Sequence, residues 1–361
     1  MLTSKDEISS TKLTWALVIA TYRREHTLLR CLKLASQQSR PPQEIIVVDA
    51  SPDWEKSRDR IFQEIGTHFP HIHLMYVKAH RPSAAAQRNQ GISLASADIL
   101  FLIDDDSLMY PNCADEIMSI YEADVHQEVA GIQANLGLSI PDQPTVESSS
   151  QYSIDGSFGA SRNPLFRLGH QLLAVENLYI PYDDHYQPYI PTSVAAFDVV
   201  TAPFLGGMRM TFRRHIIQKV QFDDFLVRYT CGEDCDASFR ALQYGVLLTA
   251  LQAYICHLKE PSGRLSRRLT SMLFVANWAV LLRLNHKHPQ RIKGKYYLVA
   301  IKSLLIDVFR DILRGRWTIP SARGKFSALL LLNKIFDSKP CEIRGWYRQL
   351  QERLIEQDLG C

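Results

Sequence analysis

The chain has 361 residues, of which 46% are hydrophobic and 22% charged, a balance that excludes wholesale disorder and is typical of a folded protein with one large or two modest domains. The net charge of +3 hides an uneven distribution: Lys and Arg number 21 against 30 Asp and Glu through His257, but 20 against 8 from Leu258 onward. Such a basic region meets anionic lipid, nucleic acid or solvent. No recognisable nucleic-acid-binding module accompanies it, so we expect no nucleic acid partner.

The seven cysteines are scattered and odd in number, and the residues before Trp15 lack the apolar run of a secretory signal. Both features favour a reducing, cytoplasmic setting. A zinc site made of Cys231, Cys235 and His257 is disfavoured, because the spacing is unusual and a fourth ligand is missing. No run of 18 apolar residues exists, so the sequence predicts no spanning helix, although its C-terminal apolar runs suit a position on a bilayer surface.

The first hundred residues alternate short apolar runs with segments of helical periodicity. Strands are predicted at 15–20, 44–48, 73–77 and 99–103, and helices at 25–39, 54–69 and 83–95. Short, wholly apolar strands alternating with helices indicate a parallel sheet covered on both faces. In such sheets the ligand crevice lies beyond the carboxyl ends of the strands, where Asp49 and the Asp104–Asp106 run stand.

The remaining sequence is less regular. A helix is predicted at 111–122, a strand at 208–212, a helix at 233–244 and a strand at 253–257. Residues 139–201 are loop-rich and aromatic, and loops this long inside a compact domain are usually functional. From about Leu265 the sequence is helical, basic and amphipathic. We predict a loose N-terminus at 1–13, a main domain at 14–260 that divides at residue 106, and a helical region at 261–361.

Carboxylates and one arginine mark the predicted ligand edge of the sheet. Asp104, Asp105 and Asp106 repel one another after a buried strand unless a cation compensates them, as a divalent ion bridging to phosphate would. A solvated acidic turn explains these three residues equally well. Asp49 suits a nucleobase or ribose, and Arg88 suits phosphate. An ordinary turn aspartate and plain helix propensity are the alternatives for those two.

Two further segments carry candidate chemistry. Glu233 and Asp234 open a predicted helix, and a carboxylate held there can act as a general base towards a hydroxyl. N-capping by Asp234 is the structural alternative. His257 ends a predicted strand and is either a metal or phosphate ligand or a structural histidine.

Six short motifs occur in the order seen in family-2 inverting glycosyltransferases of the GT-A fold, which the chain resembles from about residue 14 to 260. The motifs stand at 18–23, 47–51, 86–92, 101–106, 206–214 and 232–234. The resemblance implies an α/β fold with a mostly parallel sheet flanked by helices. Its Rossmann-like nucleotide-binding half would be 14–106, its acceptor half 107–260, and the C-terminal helices an appendage.

The same resemblance implies roles for individual residues. The nucleotide-sugar site would be formed by Ala20, Thr21, Arg23, Asp49, Arg88, Asp104, Asp105, Gly206 and Gly207. Asp104 and Asp106 would be the ends of the D-x-D motif and, with His257, would bind Mn²⁺ or Mg²⁺. Asp234 would be the catalytic base, and Glu233 with Asp234 would contact the acceptor.

The activity implied by the resemblance is transfer of one hexosyl or deoxyhexosyl group from a nucleotide-diphosphate sugar, with UDP- or dTDP-sugars favoured. The acceptor would be a hydroxyl of a saccharide or a lipid-linked molecule, in synthesis of cell-surface polysaccharide or glycolipid. The Q-x-x-R-W motif of processive synthases is absent, which favours a single transfer. The basic C-terminal helices predict peripheral contact with the cytoplasmic face of a membrane; packing on the core or on another subunit is the alternative.

Two other classes of protein fit less well. A non-catalytic binding or scaffold relative would be expected to have lost a carboxylate, yet Asp104, Asp106 and Asp234 are all present. A nucleotidyltransferase would be expected to carry a glycine-rich loop after its first strand, and residues 20–24 contain no glycine.

Overall fold

The computed structural model describes residues 12–142, 187–228, 231–260 and 265–359. Within these ranges nine strands form one sheet, and ten α-helices accompany it. Most of the predicted loop-rich segment at 139–201, the N-terminus through residue 11 and Arg264 lie outside the described residues.

The N-terminal part of the sheet is parallel and has the strand order β3-β2-β1-β4. Its strands are β1 (Trp15–Thr21), β2 (Glu44–Asp49), β3 (His73–Lys78) and β4 (Ile99–Leu102). The connecting helices are α1 (Glu25–Ser36), α2 (Trp54–Ile61, followed by a π-helical turn at Phe62–Gly66) and α3 (Ala84–Leu94). Alternate residues of β1 enter separate cores on the two faces, Leu17 on one and Val18 on the other, which explains why the strand is apolar throughout.

The second part of the sheet mixes strand directions. It contains β5 (Ser107–Met109), α4 (Cys113–Ala123), β6 (Val129–Leu136), β7 (Val199–Thr201), β8 (Met210–Arg213), α5 (Arg214–Val220), α6 (Glu233–Ala241) and β9 (Val246–His257). β8 runs antiparallel between β4 and β6, and β9 runs parallel to β6. β5 pairs antiparallel with the end of β9, with Ser107 opposite His257. This pairing brings His257 to the residues that follow β4.

The C-terminal region is helical, as the sequence predicts, and its described residues, 265–359, form four helices. They are α7 (Arg267–Asn285), α8 (Pro289–Leu313), α9 (Pro320–Asp337) and α10 (Pro340–Leu359). Apolar side chains of all four helices form a third core, which includes Trp278, Tyr296, Phe336 and Tyr347. In the part of the chain that the structure describes, no helix is long and apolar enough to cross a membrane.

Helices α7 and α9 cross at close range because Gly324 has no side chain. A Cβ atom built on Gly324 would lie 2.1 Å from the carbonyl oxygen of Arg268 and 3.1 Å from the amide nitrogen of Met272, so the helix backbones themselves would have to separate. Gly345 in α10 is also helical, but a Cβ atom there would meet nothing within 4 Å.

We expect Gly324→Ala to lower the free energy of unfolding by about 1–3 kcal/mol, because forced separation of packed helices outweighs the higher helix propensity of alanine. Urea denaturation followed by circular dichroism measures this change. Gly345→Ala is the matched control and should be neutral or stabilising by up to about 1 kcal/mol. Equal effects of the two substitutions would contradict the close crossing.

Candidate active site

A cavity of about 690 Å³ opens at the carboxyl ends of β1 and β4. Nine of the residues predicted for the site line it, namely Ala20, Arg88, Asp104, Asp105, Asp106, Gly207, Glu233, Asp234 and His257. Four predicted residues, Thr21, Arg23, Asp49 and Gly206, are not among its lining residues. The lining residues that sequence reasoning missed are Tyr22, Arg24, Ala84, Met208, Cys231, Leu265, Arg267, Thr270 and Ser271.

Asp104, Asp106 and His257 form a candidate metal site. One ligand atom from each residue lies within 4.8 Å of the others. Asp106 is buried, and its Oδ1 lies 3.2 Å from Nε2 of His257, while its Oδ2 accepts a 2.8 Å hydrogen bond from the amide of Glu260. Burial opposes ionisation of Asp106, but His257 and Arg24 lower its pKa, so the carboxylate is kept charged. Two carboxylates and one imidazole are donors that fit Mn²⁺ or Mg²⁺ with open positions left for a ligand.

The middle carboxylate of the run has a different environment. Asp105 is buried; its Oδ2 accepts a 2.7 Å hydrogen bond from the Thr21 hydroxyl, and its Oδ1 lies 3.0 Å from Nη1 of Arg24. Burial raises the pKa of Asp105 to about 7, against the lowering effect of Arg24. The hydrogen bond between Thr21 and Asp105 therefore connects the end of β1 to the turn after β4.

Arg24, rather than Arg23, reaches into the site. The Arg23 backbone adopts a left-handed conformation, with φ at 56°, and its amide donates to the Ser51 hydroxyl at 2.7 Å. Arg24 is the residue immediately before α1. Its side chain reaches Asp105, and its Nη2 donates to the carbonyl of Glu260 at 3.1 Å. Two adjacent arginines in the sequence offered no signal to distinguish these positions.

Asp49 organises the loop that follows β2. Its Oδ1 accepts hydrogen bonds from the amide and the hydroxyl of Ser51, at 2.7 and 2.5 Å, and its Oδ2 accepts one of 2.6 Å from the Tyr76 hydroxyl. Asp49 is only 1% exposed. Its carboxylate is thus held by its own chain in this structure, and Asp49 is not among the residues that line the cavity.

Arg88 joins the two acidic sides of the cavity. Its guanidinium is buried and donates to Glu233 Oε1 at 2.9 Å and to Asp104 Oδ1 at 2.7 Å. Burial disfavours the charge of Arg88, but Asp104, Glu233 and Asp234 outweigh that effect and raise its pKa. A single fixed cation therefore sets the relative positions of Asp104 and the start of α6.

Glu233 and Asp234 are the first two residues of α6. Asp234 is half-buried, and its Oδ2 accepts a 2.9 Å hydrogen bond from the amide of Gly207. Glu233 is buried, and among the described residues its Oε2 has no hydrogen-bond partner. Burial and the nearby charge of Asp234 raise the pKa of Glu233. Both carboxylates line the cavity, but they differ in their partners: Asp234 is bonded to the amide of Gly207, while the more buried Glu233 is paired with Arg88.

The turn before α6 is fixed by the C-terminal helices. Gly232 has φ at 110°, a conformation that side chains rarely adopt, and a Cβ atom there would lie 3.1 Å from Leu281. Asn277 donates to the carbonyl of Cys231 at 2.8 Å and accepts a 2.6 Å hydrogen bond from the Tyr347 hydroxyl. The appended helices therefore hold the segment from which Glu233 and Asp234 project.

Comparison with known proteins agrees with this geometry. A protein-family model described as "Glycosyltransferase like family 2" matches residues 14–271. No curated protein matches the sequence at a significant level.

Two of the solved structures that this chain resembles are GalNAc-T7 and a mannosyltransferase. GalNAc-T7, crystallised with UDP, GalNAc and Mn²⁺, matches with a TM-score of 0.51 at 14% identity over 76% of this chain; the chain spans 48% of that protein. The mannosyltransferase PcManGT from Pyrobaculum calidifontis, in complex with GDP-Man and Mn²⁺, matches with a TM-score of 0.50 at 14% identity over 91% of this chain and 89% of its own. At this identity the likeness shows the fold, and the GT-A fold class predicted from the sequence is confirmed.

We expect the protein to bind Mn²⁺, used as a paramagnetic probe, and Asp106→Asn to weaken that binding by at least about tenfold, because a metal ligand is lost. Electron paramagnetic resonance of free Mn²⁺ during titration measures the affinity. Asp115→Asn removes an exposed carboxylate of α4 and is the matched control. Equal Mn²⁺ affinity of the wild type and Asp106→Asn would exclude Asp106 as a ligand.

Proposed function

This chain belongs to the family described as glycosyltransferase-like family 2, and we propose that it moves one hexosyl or deoxyhexosyl group from a nucleotide-diphosphate sugar to an acceptor hydroxyl with inversion at the anomeric carbon. The observation that carries the proposal is the joint presence, in one cavity, of the Asp104–Asp106–His257 group and of Asp234. One part can hold a metal-bound diphosphate, and the other can accept a proton.

The donor proposal is a UDP- or dTDP-sugar used with Mn²⁺ or Mg²⁺. A nucleotide donor used with a metal ion is supported by the neighbours of the same fold, one crystallised with UDP and Mn²⁺ and one in complex with GDP-Man and Mn²⁺; the choice of UDP or dTDP rests on the family resemblance. Asp104, Asp106 and His257 would hold the metal ion, which when bound would neutralise the diphosphate leaving group. Arg88 keeps Asp104 in place through its 2.7 Å hydrogen bond and adds positive charge on that side of the cavity.

Asp234 is the proposed general base. The amide of Gly207 orients its Oδ2, and the amide of Cys235 donates to its Oδ1 at 2.8 Å, so the carboxylate has a fixed direction on the cavity wall. An acceptor hydroxyl bonded to Asp234 would lose its proton as the oxygen attacks the anomeric carbon. A single displacement inverts the configuration and needs no covalent sugar–enzyme intermediate. Glu233, paired with Arg88, would support this side of the site and contact the acceptor.

The acceptor is proposed to be a saccharide or a lipid-linked molecule in the synthesis of cell-surface polysaccharide or glycolipid. Leu265, Arg267, Thr270 and Ser271 extend the cavity wall towards the basic helical region. The excess of cations from Leu258 onward supports the proposal that the protein contacts the anionic surface of a membrane on its cytoplasmic side.

For Asp234→Asn we expect sugar transfer to fall by about 10²–10⁴-fold while donor binding persists, because the amide keeps the shape of the carboxylate but accepts no proton. Single-turnover transfer and calorimetric donor binding are measured on the same preparation. Glu356→Gln, an exposed substitution in α10, is the control for loss of one carboxylate. Unchanged transfer by Asp234→Asn would remove it from the role of base.

A calorimetric panel of UDP-, dTDP- and GDP-sugars, with Mn²⁺ and then with EDTA, tests the donor proposal. We expect one nucleotide to bind only in the presence of the metal, since the diphosphate and the carboxylates repel each other without it. Metal-independent binding would contradict the assigned role of Asp104, Asp106 and His257. Binding of no donor would favour a non-catalytic relative of the family.

A further inference from the structure

The C-terminal half of α8 has its polar side inward. Ser303, Asp307 and Asp311 are buried, although most amphipathic helices bury their apolar side. Asp307 Oδ2 lies 2.7 Å from Nζ of Lys325, which is itself buried in α9. Asp311 accepts a 2.8 Å hydrogen bond from the amide of Ser321 and so satisfies the first turn of α9. The helix is fixed in this orientation by a buried ion pair and by a helix cap.

The outward side of α8, the turn after it and the outward side of α9 are correspondingly apolar. Nine of the large hydrophobic residues that are exposed lie between residues 298 and 330. They include Leu298 (72% exposed), Leu305 (63%), Phe309 (63%), Leu313 (60%), Trp317 (79%) and Leu330 (70%). Leu298, Ile301, Leu305, Phe309 and Ile312 recur at intervals of three and four residues, which places them on one side of the helix. We call the nine exposed hydrophobic side chains between residues 298 and 330 the outer face.

Cations border the outer face. A groove of about 330 Å³ between α8 and α9 has Leu304, Val308 and Phe326 on its walls together with Arg268 and Arg323. Arg310, Arg314 and Arg316 stand within seven residues of one another at the end of α8, where burial and the nearby charges of Arg316 and Arg310 lower the pKa of Arg314. An apolar surface with a basic border is the pattern of helices that lie in the interface of an anionic membrane.

We propose that the outer face binds the surface of an anionic lipid bilayer, with its leucines and Phe309 among the acyl chains and the arginines of its border at the phosphate groups. An exposed apolar surface of this extent indicates a binding partner. The basic border favours lipid phosphate over a second copy of the chain, which would bring a second set of arginines to the same interface. No helix in the described ranges can span the bilayer, and surface contact requires none.

The outer face is linked to the active-site cavity through Arg267. This residue lines the cavity, and the next residue, Arg268, lines the groove between α8 and α9 that borders the outer face. A bilayer on the outer face would therefore lie beside the side of the cavity formed by the start of α7. This link rests on the proposed function: it would let an acceptor with a lipid anchor reach Asp234 without leaving the membrane.

Flotation of the full-length protein with vesicles tests the proposal. We expect the wild type to float with phosphatidylcholine vesicles that contain phosphatidylglycerol, and at least tenfold less with vesicles of phosphatidylcholine alone. Leu305→Ser/Phe309→Ser should reduce flotation at least tenfold, because it removes apolar side chains without touching the buried Asp307–Lys325 pair. Val125→Ser/Leu138→Ser changes two residues of similar exposure outside the outer face and should float as the wild type does.

Arg268→Gln/Arg323→Gln provides a second test that leaves the apolar residues intact and should abolish the preference for anionic vesicles. Donor binding by calorimetry is measured on every variant, so failure of the donor site and failure of membrane binding are read separately. Absence of wild-type flotation, or equal flotation with neutral vesicles, would overturn the proposal. A stable dimer that Leu305→Ser/Phe309→Ser dissociates would instead assign the outer face to a second copy of the chain.

Discussion

The arrangement of the site depends on how the repulsion among five carboxylates in one cavity is compensated. Asp104, Asp105, Asp106, Glu233 and Asp234 all line it, and each would be costly there without compensation. The protein compensates them unequally. Arg24 and Thr21 bind Asp105, Arg88 binds Asp104 and Glu233, and the amide of Gly207 binds Asp234. Asp106 accepts a hydrogen bond from the amide of Glu260 and lies 3.2 Å from His257, and a divalent cation held by Asp104, Asp106 and His257 would complete the balance.

The same constraint explains why the C-terminal helices belong to the site. Holding two carboxylates at the start of α6 requires a turn with a left-handed residue, Gly232, and that turn is bonded to Asn277 of α7. Asn277 is in turn bonded to Tyr347 of α10. Further along α6, Asp236 is buried and accepts a hydrogen bond from Asn285 at the end of α7. The region that the sequence marks as an appendage thus contributes to the position of the proposed base.

Much of this arrangement can be predicted from the sequence, because apolar runs and their polar ends are local signals. The four parallel strands agree with prediction to within one or two residues, and nine predicted site residues line one cavity. β5 and β7 were missed because three residues give no periodicity, and β6 was missed because Gly131, Gln133 and Asn135 interrupt its apolar pattern. The choice of Arg24 over Arg23 follows from a backbone conformation at φ 56° that residue type does not reveal. Contributions from Arg267 and Ser271 depend on packing between distant parts of the chain.

The buried Asp307–Lys325 pair has a consequence for how α8 can move. A helix with leucines on one side and carboxylates on the other would lower its free energy in water by rolling about its axis until the leucines were covered. Rolling would break the ion pair inside a poorly solvated interior and would strip the first turn of α9 of the cap from Asp311, and separating a buried pair is strongly unfavourable. The polar contacts therefore prevent rotation of α8 about its axis. They add little net stability, yet they keep the hydrophobic side pointed outward in both aqueous and lipid surroundings.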